Sequence, residues 1–172
     1  LTDAIIYIVR DPREMLISYS NHMGKNISES IDAITDNSRL LSPNKNLATT
    51  IMSSWDTHYE SWKRIDVPKI IIKYEDLVNQ SKDQISNISK FLCKVLKIDE
   101  TKLDYKIHNV FTSTTISKFR KHEKINGFNE ASKNSNFFGE AKINSWKNKL
   151  TLEEIYRIEH RFNKTLKELG YL

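Results

Sequence analysis

Ala4-Ile5-Ile6-Tyr7-Ile8-Val9 is an unbroken apolar run, mostly β-branched, that ends abruptly at Arg10-Asp11-Pro12. This junction constrains the fold more than any other stretch. Such a run is expected as a strand buried on both faces of a parallel sheet. Asp11 offers a side-chain acceptor for a helix N-cap, and Pro12 suits a first helical position, where a missing N–H costs nothing. A helix is therefore predicted from Pro12 to Met23, with Gly24 ending it. A strand that enters a helix through a tight polar turn opens a βα unit, and that turn lies at the edge of the sheet where ligands bind.

A second apolar strand, Lys69-Ile70-Ile71-Ile72-Lys73-Tyr74, follows the breaker Val67-Pro68. Too many helical residues separate the two strands for a hairpin, so a parallel pair joined by a helical crossover is expected. The intervening helix is predicted from Asn46 to Ile65, after the polar stretch at Ser42-Pro43. It carries Ile51, Trp55, His58, Tyr59 and Trp62 as a stripe along one face, which reads as core. Ser81 to Lys97, Glu100 to Phe111, Thr115 to Ile125 and Thr151 to Leu169 read as further helices, the last capped by Gly170. Asn126 to Asn148 reads as a basic, aromatic loop region. The expectation is an α/β chain, mostly helical, in one domain. Two strands alone would leave sheet edges unpaired, so the sheet reads as incomplete, with its other strands N-terminal to this chain. Leu1-Thr2-Asp3, with neither initiator methionine nor signal-peptide character, reads as a start within a protein.

The composition, 38% hydrophobic and 28% charged over 172 residues, is that of a folded globular chain rather than a disordered one. No apolar run is long enough to span a membrane. The single cysteine, Cys93, excludes an intrachain disulfide and argues against a zinc site; within Ile88 to Cys93 it reads as a buried, inert thiol. A reducing, cytoplasmic setting is the expectation. The net charge of +5 suits an anionic ligand, and the lysines of the second half, interleaved with acids, read as solvated helix faces more readily than as a nucleic-acid stripe.

Arg10 directly follows the first strand, and Ser18 lies about two turns along the next helix, so both can address one anion near the strand's end. The alternative pairs Arg10 with Asp11 or Glu14 and leaves Ser18 as a small packing residue. Spacing alone leaves both open.

Tyr7-Ile8-Val9-Arg10-Asp11-Pro12-Arg13-Glu14 with Ser18 and Tyr19 resembles the motif that follows a central strand in sulfotransferases using 3'-phosphoadenosine-5'-phosphosulfate (PAPS). The resemblance continues through Trp55 to Trp62, Ile71 to Leu77, Phe119 to Glu123, Gly127-Phe128, Phe137-Phe138 and Trp146-Lys147, in the family's order, with bacterial members closer than animal cytosolic ones. It implies a P-loop-like parallel-sheet fold, of which residues 1–172 form the C-terminal part of a single domain. It implies that Arg10 and Ser18 bind the 3'-phosphate of PAPS, that Tyr74 hydrogen-bonds the adenine, and that Thr115 and Ile116 line the adenine site. Ile116 replaces an aromatic residue there, supplying an apolar wall without a stack. Gly139-Glu140-Ala141 stands where the animal enzymes carry Arg-Lys-Gly, and Lys142 is the next cation in line.

The family's phosphosulfate loop and catalytic histidine have no counterpart here. The four glycines are isolated, and all five histidines, His22, His58, His108, His122 and His160, follow Arg10. No catalytic residue and no metal ligand is therefore assigned. The resemblance implies transfer of a sulfuryl group to a hydroxyl or amine of a small-molecule or glycan acceptor, by a protein of which these residues alone would be inactive. It allows a homodimer, although Leu152 and Tyr156 depart from the animal enzymes' dimer motif. The competing reading is a non-catalytic basic helical module that binds an acidic partner or nucleic acid through Lys118 to Lys149.

Overall fold

In chain order the elements are strand β1 (Ile5–Val9), helices α1 (Pro12–Met23) and α2 (Ile27–Thr35), short strands β2 (Leu40–Leu41) and β3 (Thr50–Ile51), helix α3 (Trp55–Arg64), strand β4 (Lys69–Lys73), helices α4 (Tyr74–Asn79), α5 (Ser81–Leu96), α6 (Leu103–Ser113) and α7 (Ile116–Asn126), a 3-10 turn (Ser145–Asn148), and helices α8 (Leu152–Arg161) and α9 (Asn163–Glu168). They are those of a computed structural model that describes residues 2–42, 48–79, 81–101, 103–129, 131, 136–139 and 141–172. The chain forms two compact units, one of Leu1–Arg10 with Asp66–Ile143 and the other of Asp11–Ile65 with Asn144–Leu172. No helix among the described residues is long and apolar enough to cross a membrane.

In the first unit β1 and β4 pair in parallel, in register from Ile5↔Lys69 to Val9↔Lys73. The Ile5 N–H donates to Pro68 O at 2.9 Å, so the pairing begins at the residue that cannot itself donate. The parallel pair and its helices are the expected α/β arrangement. Burial on both faces is not what the strands show: Ile5 and Val9 are buried while Ile6 and Ile8 are 41% and 54% exposed. Successive side chains point to opposite faces, and a sheet of two strands among the described residues offers too little area for helices to cover both. Ile72 of β4 is buried, and α4 and α5 pack on that strand. Helices α5 and α6 also pack on each other. Cys93, expected to be buried, is half-buried, because no residue of α5 is fully covered.

The second unit has a core of Leu16, Ile17, Ile31, Ile34, Trp146, Leu150, Ile158, Phe162 and Leu166. Helix α1 has the bounds its sequence predicts: Asp11 accepts from the Arg13 N–H at 2.9 Å, and Gly24 closes the helix in the left-handed region at φ 63°. Three expectations are corrected. The predicted helix from Asn46 begins instead at Trp55, where Ser54 is the N-cap; Asn46 itself lies outside the described residues. Thr50 and Ile51 pair antiparallel with Leu41 and Leu40, as β-branched residues favour. The aromatic stripe is consequently only partly core: Tyr59 is 3% exposed and Trp55 packs against Phe162, whereas Ile51 is 74% exposed. The single C-terminal helix is two, α8 and α9, divided at the buried Phe162, where the backbone leaves helical geometry (φ −108°, ψ 16°).

Candidate functional site

The parallel register fixes what meets at the carboxyl end of the first unit's sheet. Val9 stands opposite Lys73, so the next residue of each strand, Arg10 and Tyr74, emerges side by side. The Arg10 guanidinium lies over the Tyr74 ring, 4.3 Å from its centroid. Its Nη2 donates to the main-chain oxygen of Lys142 at 3.3 Å. A guanidinium over an aromatic face that also donates to a main-chain carbonyl is restrained there, and its fork of donors suits a phosphate or sulfate oxygen. Open α/β sheets bind ligands in this same location. In β1 itself, burial pushes the Tyr7 phenol up to about 12.

The structure assigns the neighbouring charges of the motif to other work. In the second unit, Asp11 receives Arg13 through Nε at 2.9 Å and Nη2 at 2.7 Å, and Arg13 also donates to Glu159 at 2.5 Å and to Tyr171 O at 3.0 Å. The same guanidinium lies 4.1 Å from the Trp146 ring centroid. Burial pulls the Arg13 pKa down, but the hydrogen bonds and charges of Asp11 and then Glu159 outweigh it and leave it above its ordinary value. Glu14, also buried, accepts from Ser145 Oγ at 2.5 Å and from the Trp146 N–H at 3.2 Å. The acids proposed as local partners for Arg10 are thus bound to Arg13 and to the 3-10 turn.

Of the other predicted residues, Lys142 meets Arg10 through its carbonyl while its side chain is exposed. Thr115 and Ile116 begin α7; Thr115 Oγ1 lies 3.1 Å from Ser117 Oγ, and Ile116 is 39% exposed. Ser18 is an exposed residue of α1, in the second unit. Glu140 lies outside the described residues. His22 is exposed, and His58 accepts from Trp62 Nε1 through its Nε2 at 3.2 Å, with burial lowering its pKa.

Two residues that the sequence did not single out individually hold the loop that leads to Lys142. Glu123 of α7, buried, accepts the N–H groups of Phe137 and Phe138 at 2.6 and 3.1 Å, one on each carboxylate oxygen. Arg120, one turn earlier, donates through Nε to Phe138 O and Gly139 O at 3.3 and 3.2 Å, and through Nη2 to Gly139 O at 2.5 Å. Phe119 stacks on Phe138 at 5.0 Å, and Phe128 packs against Phe137 and Phe138 at 4.6 and 5.0 Å. The sequence signals were the stretch Phe119 to Glu123 within the family resemblance and an Arg and a Glu three apart on one helix face; neither shows the main-chain groups that the two side chains bind.

A sequence profile described as Sulfotransferase domain matches residues 4–170. The 3-alpha-hydroxysteroid sulfotransferase of Cavia porcellus is 23% identical over 158 residues, covering 87% of this chain and 51% of its own length. Sulfotransferase 1B1 of Mus musculus is 24% identical over 170 residues, covering 94% and 54%. The chain spans about half the length of these curated relatives. Among solved structures, mouse sulfotransferase SULT7A1 complexed with PAP superimposes with TM-score 0.67 at 20% identity, over 98% of this chain and 60% of the other. Retinol dehydratase in complex with androsterone and inactive cofactor PAP gives TM-score 0.67 at 18% identity, over 94% and 47%. At these identities the structural likeness speaks to the fold.

Proposed function

This chain belongs to the sulfotransferase family, and from that premise we propose that its protein transfers a sulfuryl group from PAPS to a hydroxyl or amine of a small-molecule or glycan acceptor. The observation that carries the reading is Arg10, emerging from the carboxyl end of a parallel strand with its guanidinium over the Tyr74 ring. A planar cation beside an aromatic hydroxyl fits a phosphorylated nucleoside: the guanidinium offers paired donors to the 3'-phosphate, and Tyr74 offers its hydroxyl to the base. Two solved relatives carry PAP, which lacks the sulfuryl group of PAPS, and this supports the same donor here.

PAPS would supply the sulfuryl group, and the residues of this chain bind and orient it. Arg10 and Ser18 hold the 3'-phosphate; Tyr74, Thr115 and Ile116 bound the adenine; Lys142 adds positive charge. Orientation for in-line transfer and stabilisation of the developing charge account for most of the rate such a site provides. In this reading residues 1–172 are the C-terminal part of a single sulfotransferase domain, cytoplasmic, and inactive by themselves. The phosphosulfate loop and general base lie in sequence N-terminal to them. The reading is tested by calorimetric titration of the complete protein with adenosine 3',5'-bisphosphate. Binding that falls at least tenfold in Arg10→Ala supports it. Binding of polyanions irrespective of adenosine, weakened steeply by salt, would favour the basic binding module instead.

A further inference from the structure

The loop that ends at Lys142 is gripped from one side of α7 by its main chain rather than by its side chains. Glu123 takes two consecutive N–H groups, of Phe137 and Phe138, and Arg120 takes the two carbonyls that follow, of Phe138 and Gly139. Every main-chain polar group from the Phe137 N–H to the Gly139 carbonyl is engaged, since the Gly139 N–H donates to Phe137 O at 3.0 Å and Phe138 O receives Arg120. The rings of Phe119, Phe128, Phe137 and Phe138 pack on one another in the same segment. Two residues beyond Gly139, Ala141 stands in the left-handed region at φ 51°, a conformation that a side chain disfavours. The next carbonyl, of Lys142, receives Arg10 Nη2. A strained residue between a fixed clamp and a hydrogen bond to a binding arginine is how a loop carbonyl is aimed and held.

We propose that Glu123 and Arg120 are positioning residues for nucleotide recognition: by fixing Phe137 to Gly139 they hold the loop whose Lys142 carbonyl receives Arg10, and so help to keep the Arg10 guanidinium over Tyr74. The inference rests on the reading of Arg10 as a 3'-phosphate ligand. It assigns α7 a function that the loop's own side chains do not carry, because Gly139 and Ala141 offer no charge. Preorganised donors bind more tightly because less freedom is lost on binding. A buried carboxylate with both oxygens on adjacent N–H groups is such a preorganising device. Glutamine, of the same shape, cannot reproduce it, because its NH2 would face a donor.

The test titrates the complete protein with adenosine 3',5'-bisphosphate and with adenosine 5'-monophosphate, so that the contribution of the 3'-phosphate is read as a ratio. Glu123→Gln is expected to weaken the bisphosphate roughly 2- to 150-fold, the range of coupling within one hydrogen-bond network, and to leave the monophosphate unchanged. Arg120→Gln, at an exposed position that tolerates the change, is expected to act in the same direction and less strongly. In an Arg10→Ala background neither variant should have any further effect. Equal losses for both nucleotides, or losses that persist without Arg10, would show a general structural role and overturn the proposal. If the unmodified protein does not distinguish the two nucleotides, the reading of Arg10 fails and this inference with it. If it does distinguish them and Glu123→Gln and Arg120→Gln leave the ratio unchanged, this inference alone fails.

Discussion

Arg13→Met separates the two arginines of the motif by what each is for. The Arg13 side chain is 5% exposed and its Asp11 partner 8%, so the substitution leaves a buried carboxylate whose cation is gone. It also removes the hydrogen bonds to Glu159 and to the Tyr171 carbonyl and the contact with Trp146. Breaking a buried pair by removing one partner costs about 3–5 kcal/mol, against a total stability of about 5–15 kcal/mol for a typical domain. Glu159, 30% exposed, regains some water and limits the loss. For a domain of 150–250 residues such a loss lowers Tm by roughly 6–20 °C, and by less in a longer complete protein. Urea and thermal unfolding of the complete protein, followed by circular dichroism, read the loss directly. Removing the charge on both sides, in Asp11→Asn with Arg13→Met, should recover part of it. Below its Tm, Arg13→Met should bind adenosine 3',5'-bisphosphate normally, whereas Arg10→Met should bind poorly and melt normally. A loss below about 1 kcal/mol for Arg13→Met, or a binding defect in the folded variant, would refute the division of roles.

Other expectations follow from single sites. Burial holds the folded His58 pKa below 6.5, so the unfolded chain binds the proton more readily and stability falls as pH drops from 6.5 toward the folded value. Protonation also removes the acceptor for Trp62 Nε1, so tryptophan emission should change over that window, and His58→Gln, which keeps an acceptor, should abolish the change; an unaltered titration in that variant contradicts the assignment. Ala141→Gly should stabilise slightly, because relief of about 1–2 kcal/mol of left-handed strain exceeds the added flexibility of about 0.5–1 kcal/mol; a lower urea midpoint would contradict it. Glu14→Ala strands the buried Trp146 N–H and should cost about 1–3 kcal/mol in urea unfolding, and a neutral outcome would remove Glu14 from the account.

What could be read from the sequence was local. Asp11, Pro12 and Gly24 gave both ends of α1, and the two β-branched runs gave the parallel pair, because caps and apolar runs act through neighbours a few residues away. Helix α2 is not among the elements expected from the sequence, although Asn26 and Glu29 form its capping box. The break at Phe162 was not legible: an apolar residue continues the helical pattern, and only its burial in the core shows why the backbone departs there. Arg10 and Tyr74 were identified by resemblance, and the register supplies the physical reason they meet. That Arg13 binds Asp11 in a buried pair depends on partners far along the chain, at Glu159 and Tyr171, which no spacing rule reaches. The hold of Glu123 on Phe137 and Phe138 is hidden for the same reason, since the groups it binds are common to every residue.

The central claim, that Arg10 reads the 3'-phosphate of a sulfuryl donor, is tested most directly by calorimetry of adenosine 3',5'-bisphosphate against the complete protein and its Arg10→Ala variant. Loss of a charge-assisted bidentate contact predicts an affinity at least tenfold lower in the variant, with adenosine 5'-monophosphate bound equally by both proteins. Equal affinity of the two proteins for the bisphosphate, or no binding by either, would contradict it.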